Sequence, residues 1–163
     1  MIEIRDLRAA ELPFLREMLY AALAWRPGVE LPPAELVLEH PQVAPFHVAW
    51  GKDGDTALVA ESEDDGTPLG LAWYRFFTEQ DHGEGFVDEE TPELAVAVVD
   101  GHRGSGLGTA LMEAIHVRAR EEGVMRISLS VDRDNPARRL YLRLGYIEYA
   151  PDDENGRMVL ELT

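Results

Sequence analysis

The sequence predicts an α/β (α+β) fold, a mixed β-sheet of about seven strands flanked by about four helices. Three observations support this prediction. Residues 94–131 have the pattern of a strand, a glycine-rich turn, a helix and a further strand, which is the order of a right-handed parallel crossover. Residues 56–77 contain two apolar segments around a polar turn, which predicts an antiparallel hairpin. Two short strands end the pattern, so parallel and antiparallel pairing should share one sheet.

The N-terminal part of the chain predicts one strand and two helices. Ile2-Glu3-Ile4 alternates and predicts a short first strand. Apolar residues at helical spacing predict a helix over about residues 9–24, in which Pro13 can occupy the first turn. A second, shorter helix should follow Pro32-Pro33. Residues 43–50 are compatible with a short helix or with irregular structure.

Glycine, proline and polar turn residues set the boundaries of the later strands and helices. The strands that we expect after the first one cover residues 56–61, 69–77, 94–99, 126–131, 146–149 and 158–162. The long helix should begin near Gly106 and end at Gly123. A last helix should begin at Asn135-Pro136, a cap residue followed by proline, and end at Gly145.

Composition narrows the class of protein. A length of 163 residues predicts a single domain over residues 1–163. The chain has no cysteine, which excludes disulfides, thiolate zinc sites and a cysteine nucleophile. The N-terminus has no basic segment followed by an apolar core, and no apolar run approaches the ~20 residues of a membrane span. We therefore expect a cytoplasmic protein.

The chain is strongly acidic. Its formal net charge is −16, from 15 Lys and Arg against 31 Asp and Glu. Such a charge repels nucleic acid and anionic membranes and favours cationic partners. We therefore expect neither nucleic acid nor a membrane as a partner. A solubility or salt-adapted surface accounts for the same charge equally well.

The strongest local signal is Arg103-Gly104-Ser105-Gly106-Leu107-Gly108-Thr109. Its glycines leave main-chain N–H groups bare where a helix begins, and a helix N-terminus has unpaired N–H groups and a partial positive charge. Together these groups form an anion site, most naturally for phosphate. Arg103 adds a fixed charge that can donate two parallel hydrogen bonds to phosphate oxygens. A glycine-rich turn without a ligand is the plain alternative.

Three phosphate-binding patterns can be compared with this loop. A P-loop requires Gly-Lys-Ser/Thr, and no lysine follows these glycines. A dinucleotide fingerprint requires G-x-G-x-x-G, and Thr109 stands at its third glycine. The pattern Arg/Gln-x-x-Gly-x-Gly/Ala is matched by Arg103, Gly106 and Gly108. The loop therefore resembles the pyrophosphate loop of the GCN5-related N-acetyltransferases (GNAT family).

A second segment supports the same resemblance. Asp134 to Tyr146 is similar to that family's C-terminal motif, an asparagine before a helix that bears a tyrosine, and Tyr146 stands where phenylalanine is commonest. The two motifs have the family's order and separation, and the resemblance covers about residues 56–162. It implies a twisted mixed sheet whose fourth and fifth strands splay apart, with the pantetheine arm of an acyl-CoA in the gap.

The resemblance also implies roles for individual residues. The family's general acid beside the sulfur corresponds to Tyr141, and its main-chain contacts to the cofactor correspond to Val96 and Val98. Asn135 matches a position that contacts the cofactor, and it also suits a helix cap. The cofactor-binding residues implied in this way are Val96, Val98, Arg103, Gly104, Ser105, Gly106, Leu107, Gly108, Thr109, Asn135 and Tyr141.

Acyl transfer to an amine also needs a base or a water relay, because an alkyl ammonium group with a pKa of about 10 must lose a proton. Glu93, at the start of the fourth predicted strand, is the best candidate for this base, directly or through water. A solvated strand end accounts for Glu93 equally well, and Glu84 and Asp88 are weaker rivals. No spacing of His, Asp and Glu suggests a metal site.

We therefore interpret the sequence as an acetyl-CoA-dependent N-acetyltransferase that moves the acetyl group directly to a primary amine of a small molecule or peptide. The acidic loops suggest a cationic acceptor. The alternatives are a non-catalytic acyl-CoA-binding regulatory module and an acyltransferase that uses a different acyl group or acylates a hydroxyl. Members of the family often form homodimers, and the sequence leaves the oligomeric state open.

Overall fold

A computed structural model describes residues 1–162. The strands are β1 (Ile2–Asp6), β2 (Thr56–Ser62), β3 (Pro68–Arg75), β4 (Glu93–Val98), β5 (Arg126–Ser130), β6 (Ile147–Glu148) and β7 (Arg157–Glu161). They form one sheet in the order β1-β2-β3-β4-β5-β7-β6. All neighbours pair antiparallel except β4 and β5, which are parallel. The predicted mixed sheet of seven strands is confirmed.

The strands β4 and β5 separate almost as soon as they meet. Their only paired positions among the described residues are Glu93 and Ser128. By contrast, β4 pairs with β3 along its whole length, from Glu93 to Val98. The sheet therefore opens into a gap between β4 and β5, as the resemblance implied.

The helices are α1 (Leu12–Leu23), α2 (Ala34–Glu39), α3 (Leu107–Glu121) and α4 (Ala137–Arg143). The N-terminal boundary of the first predicted helix was too early, because residues 9–11 form a 3-10 turn before α1. Residues 43–50 contain a 3-10 turn at Ala44–Phe46 and no α-helix. Gly123 ends α3 with φ +82°, a left-handed conformation that glycine adopts without strain.

Two apolar cores cover the two faces of the sheet. The larger core packs α3 and α4 against one face, and its fully buried members include Leu111, Ile115 and Met158. The smaller core packs α1 against the other face through Leu15 and Trp73. Since burying one such side chain stabilises a fold by about 1.5–3 kcal/mol, these faces hold the sheet rigid around the gap. None of the helices in residues 1–162 is long and apolar enough to cross a bilayer.

Candidate active site

The edge of β4 that faces the gap carries unpaired main-chain groups. Val99 N donates to Leu69 O on the β3 side at 2.8 Å, whereas Ser128 N donates to Pro92 O on the β5 side at 3.0 Å. Because successive peptide groups of a strand point to opposite edges, the N–H and C=O groups of Val96 and Val98 point to the β5 side. Within the described chain no strand lies beside them there. An extended molecule that carries amides can pair with this edge as an added strand does.

The glycine loop follows β4 directly and ends at α3. Gly104 and Gly106 have φ of +78° and +85°, and a Cβ at either would meet nothing within 4 Å. Glycine is therefore required by the backbone conformation and not by lack of space. Ala110 N donates to Gly106 O at 3.1 Å and is the first amide of this segment to find a main-chain acceptor within residues 1–162. The amides of residues 103–109 are available to an anion.

Two side chains of the loop differ in their availability. The Arg103 side chain is 52% exposed, and its Nη2 lies 3.6 Å from Asp100 Oδ1. Such an exposed pair contributes little, so the guanidinium is free to turn toward a phosphate. The Ser105 hydroxyl donates to His102 O and is used within the loop itself.

Tyr141 lies on α4 and belongs to the larger core. Its side chain packs edge-on against Tyr146, with the ring centroids 5.9 Å apart. Burial raises the pKa of Tyr141 to about 12, so the hydroxyl stays protonated at any pH at which an enzyme works.

Asn135 precedes α4 as the sequence predicted. Its Oδ1 accepts a hydrogen bond from Ala137 N at 2.9 Å, a local turn that leads into the helix bearing Tyr141. The helix starts at Ala137, one residue after the predicted first position at Pro136. The contact of Asn135 with a cofactor stays a prediction.

Glu93 is buried at the first position of β4 and is only 2% exposed. Gly85 N donates to its Oε2 at 2.8 Å, while its Oε1 has no partner among residues 1–162. A Cβ at Gly83 or Gly85 would lie 2.8 Å from Oε2, so the two glycines form a cradle that only glycine allows. Burial raises the pKa of Glu93 to about 7, although the main-chain amides of Gly85 and Gly83 oppose the shift. A solvated strand end is therefore the wrong description of Glu93.

The two rival carboxylates are placed differently. Glu84 is exposed, and its charge adds to the raised pKa of Glu93. Asp88 Oδ2 accepts a hydrogen bond from Arg126 Nη2 at 2.7 Å. Partial burial raises the pKa of Asp88, but hydrogen bonds from Thr91, Glu90 N and Arg126 outweigh it and lower the pKa overall. Asp88 is a paired anion and a poor base.

Glu93 and Tyr141 lie on opposite faces of the sheet. Leu94 packs in the same core as Tyr141, and Ala95 packs in the core under α1. Because side chains alternate along a strand, the Glu93 side chain points to the α1 face.

Two features of the site were not found in the sequence. The first is the cradle of Gly83 and Gly85, whose only local signal is the pair of glycines in an acidic loop. The second is His116, which continues the apolar helical spacing of Met112 and Ile115 and lies buried against Tyr146. Residues 1–162 contain no group of three or more His, Asp or Glu that could hold a metal ion.

Comparison with known proteins agrees with this geometry. A model of the acetyltransferase (GNAT) family matches residues 16–146. No curated protein sequence matches the chain significantly. A GNAT family acetyltransferase from Brucella melitensis, solved in complex with acetyl-CoA, is 21% identical, covers 100% of this chain and 89% of its own, and has a TM-score of 0.67.

Two further solved structures share the fold. The paia N-acetyltransferase of Thermoplasma acidophilum, in complex with coenzyme A, is 17% identical over 99% of both chains, with a TM-score of 0.73. The GNAT domain of S. lividans PAT is 20% identical over 98% of this chain and 90% of its own, with a TM-score of 0.70. Since the family model spans most of the sequence and the sheet opens between β4 and β5, the chain belongs to the GNAT acetyltransferase family.

Proposed function

We propose that the protein is an acetyl-CoA-dependent N-acetyltransferase that moves the acetyl group directly to a primary amine of a small molecule or peptide. The gap-facing edge of β4 is the observation that supports this most, because its unpaired peptide groups run straight into an anion-binding glycine loop. A cytoplasmic location and a single domain over residues 1–163 belong to the same proposal. A homodimer is the alternative to a monomer, and sedimentation distinguishes the two.

Acetyl-CoA fits the groups that the structure leaves free. The peptide groups of Val96 and Val98 would pair with the amides of its pantetheine arm. The loop from Arg103 to Thr109 would hold the pyrophosphate through main-chain amides and the Arg103 guanidinium. Two solved relatives of this fold hold acetyl-CoA or coenzyme A, which supports the same assignment.

Glu93 is proposed to take the proton from the acceptor ammonium, directly or through water. With a pKa of about 7, it is a carboxylate for the larger part above neutral pH. An alkyl ammonium group has a pKa of about 10, so this transfer would be uphill by about 4 kcal/mol in water. Burial beside the unpartnered Oε1 lowers that cost, because a desolvated ammonium group loses its proton more readily.

Tyr141 is proposed to act as the acid beside the sulfur. An alkyl thiol ordinarily has a pKa of about 8.5, well below the pKa of about 12 that burial gives Tyr141. The phenol therefore supports the leaving thiolate mainly by donating a hydrogen bond, since full transfer of its proton would be uphill. A main-chain N–H of β4, at Val98 or its neighbour, would meet the thioester carbonyl as charge develops there.

The acceptor is proposed to be cationic. The loop of residues 80–90 is acidic, and its exposed Glu84 acts electrostatically on Glu93. A positive acceptor would be attracted to such a mouth and would offer an ammonium group to the buried carboxylate. Polyamines, aminoglycosides and basic peptide N-termini fit this description, and neutral amino acids do not.

The decisive experiment measures acetyl-CoA-dependent thiol release over a panel of polyamines, aminoglycosides, peptides and amino acids. Because the chain has no cysteine, a thiol reagent reports free coenzyme A alone. Release with one class of amine supports the enzyme and names its acceptor. Stabilisation by acetyl-CoA without release from any amine would favour the binding module, and an absence of both would refute the proposal.

A further inference from the structure

His116 and Tyr146 form a buried hydrogen bond that the proposed chemistry does not use. His116 lies on α3 and is 5% exposed, while Tyr146 follows α4 and is 1% exposed. His116 Nε2 lies 2.7 Å from Tyr146 Oη. Burial, reinforced by the charge of Arg120, lowers the pKa of His116 to about 4, so the imidazole is neutral in the working range. A neutral imidazole has one donor and one acceptor nitrogen, and either can pair with the hydroxyl.

Tyr146 in turn contacts Tyr141 in two ways. Its main-chain N–H donates to Tyr141 O at 3.0 Å. Its ring meets the Tyr141 ring at 5.9 Å between centroids and 61° between planes, an edge-to-face arrangement that favours one mutual orientation. A rotation of the Tyr146 ring would therefore displace the Tyr141 ring.

Packing alone does not explain the Tyr146 hydroxyl. A phenylalanine at position 146 would supply the same ring without a buried polar atom. A buried hydroxyl and a buried imidazole are each costly without a partner, and here each satisfies the other. The bond joins the end of α4 to α3, the helix whose N-terminus forms the glycine loop.

We propose that the His116–Tyr146 hydrogen bond positions the ring of Tyr141, which makes His116 and Tyr146 positioning residues for the Tyr141 hydroxyl. The inference rests on the proposed role of Tyr141. The bond fixes the Tyr146 ring against α3, and the Tyr146 ring limits the orientations of the Tyr141 ring. A hydroxyl displaced by about 1 Å can lose up to about 100-fold in rate, so modest loosening should be measurable.

The test compares Tyr146→Phe in two backgrounds. In the wild-type background, kcat should fall about tenfold while the KM for acetyl-CoA stays within about twofold. In the Tyr141→Phe background, Tyr146→Phe should have no further effect on kcat, because the hydroxyl that it positions is gone. An equal fall of kcat in both backgrounds would overturn the inference, since Tyr146 would then act independently of Tyr141.

A double variant separates positioning from stability. Tyr146→Phe alone leaves the His116 imidazole buried without its partner and should lower the melting temperature. Combining it with His116→Leu removes both polar groups, so the melting temperature should recover while kcat stays low. Recovery of kcat together with the melting temperature would show a purely structural pair and would refute positioning.

A readout that needs no turnover completes the test. In protein labelled with ¹³C at tyrosine Cζ, the Tyr141 signal is assigned from its loss in Tyr141→Phe. This signal should broaden or split in the double variant, and an unchanged sharp signal would overturn the inference. If Tyr141→Phe slows turnover and Tyr146→Phe does not, only the positioning pair fails. If Tyr141→Phe leaves turnover unchanged, the proposed role of Tyr141 fails, and the inference fails with it.

Discussion

Gly85 donates its main-chain N–H to the Glu93 carboxyl at 2.8 Å, and nothing else in residues 1–162 pairs with the second carboxyl oxygen. The main-chain amides of Gly85 and Gly83 favour the carboxylate, but too weakly to replace the water that burial removes. The carboxyl therefore keeps its proton until a pH of about 7, and a buried group that exchanges its proton near neutrality suits a base.

The raised pKa of Glu93 predicts how stability depends on pH. The folded pKa is about 7 and the ordinary value is 4.5, so the folded state binds more protons than the unfolded state between these values. Stability from this group is therefore fully present below pH 4.5 and is lost as the pH rises through 7. The loss is about 3 kcal/mol, from about 1.4 kcal/mol per pKa unit.

Glu93→Gln should remove this dependence. Urea unfolding at pH 5 and pH 8 should show that wild type loses about 2.5 kcal/mol more than Glu93→Gln over that interval, since part of the loss already occurs below pH 5. Other titrating groups affect both proteins equally, so the difference isolates Glu93. Parallel pH profiles for the two proteins would contradict the raised pKa.

Catalysis should follow the same ionisation. The rate of acetyl transfer by wild type should rise with pH through about 7, as Glu93 becomes a carboxylate. Glu93→Gln should lower the rate about 100-fold, because the general base is lost. The variant should bind acetyl-CoA as tightly as wild type does. Asp88→Asn is the matched control, since Asp88 is already paired with Arg126. Asp88→Asn should retain the rise in rate near pH 7. If Asp88→Asn abolishes this rise and Glu93→Gln does not, Asp88 is the base and Glu93 is not.

The glycine cradle can be tested without touching Glu93. An alanine Cβ at position 85 would lie 2.8 Å from Glu93 Oε2 and 2.9 Å from the main-chain carbonyl carbon of Leu129. The backbone atom cannot move aside, so Gly85→Ala should cost about 1–3 kcal/mol and lower the rate by displacing the carboxylate. Gly70→Ala serves as the control, because its Cβ would meet Leu111 Cδ1 at 2.9 Å and the main-chain oxygen of Ala97 at 3.1 Å, and none of these contacts is with Glu93. Both changes should destabilise in urea titrations, and only Gly85→Ala should alter the pH–rate profile.

The parts of this molecule that sequence predicted are those with local causes. The glycine loop was identified because positive φ at Gly104 and Gly106 demands glycine, and the helices were found from their apolar spacing. The end of α3 was also predictable, because Gly123 has a positive φ that glycine adopts without strain. By contrast, the exact starts of α1 and α4 depend on turn geometry that periodicity does not encode.

The features that sequence left open arise from distant contacts. Glu93 is buried because a loop without periodicity folds Gly83 and Gly85 over it. A strand-end glutamate has the same local pattern whether it is solvated or covered. His116 and Tyr146 are separated by 30 positions and meet only through the packing of α3 against the end of α4. The contacts around Glu93 and those between His116 and Tyr146 both join residues that are distant in sequence, so no short segment of the sequence predicts them.

The buried pair of Arg75 and Asp55 should matter for stability and not for the cofactor. Arg75 is 2% exposed, and its guanidinium donates to Asp55 and to the carbonyls of Pro45, Val48 and Ala49. Asp55→Ala would leave that charge buried without its counter-ion, which should cost about 3–5 kcal/mol.

The control for this pair is Asp134→Ala. Asp134 pairs with Arg26 on the surface, where solvent screens the charges, so its loss should leave the melting temperature unchanged. Neither change should alter the affinity for acetyl-CoA at a temperature where the protein is folded. A weaker affinity of Asp55→Ala for acetyl-CoA would show that residues 45–49 influence the cofactor site. That result would contradict a role of the Arg75–Asp55 pair in stability alone.

The glycine loop offers the most direct test of cofactor binding, because two of its glycines have different reasons to be glycine. Gly106 has φ +85°, so Gly106→Ala favours leaving the left-handed region, which turns the free amides away from the phosphate. Binding would then have to restore the left-handed conformation at a cost of about 1–2 kcal/mol. Gly108 lies in α3 with ordinary φ, and a Cβ there would meet only Leu140 Cδ2, at 3.7 Å. Titration calorimetry with acetyl-CoA should show about tenfold weaker binding for Gly106→Ala and unchanged binding for Gly108→Ala, which should also stabilise the helix by up to about 1 kcal/mol. Equal weakening by both changes would mean that lack of space near the phosphate, and not backbone conformation, selects these glycines.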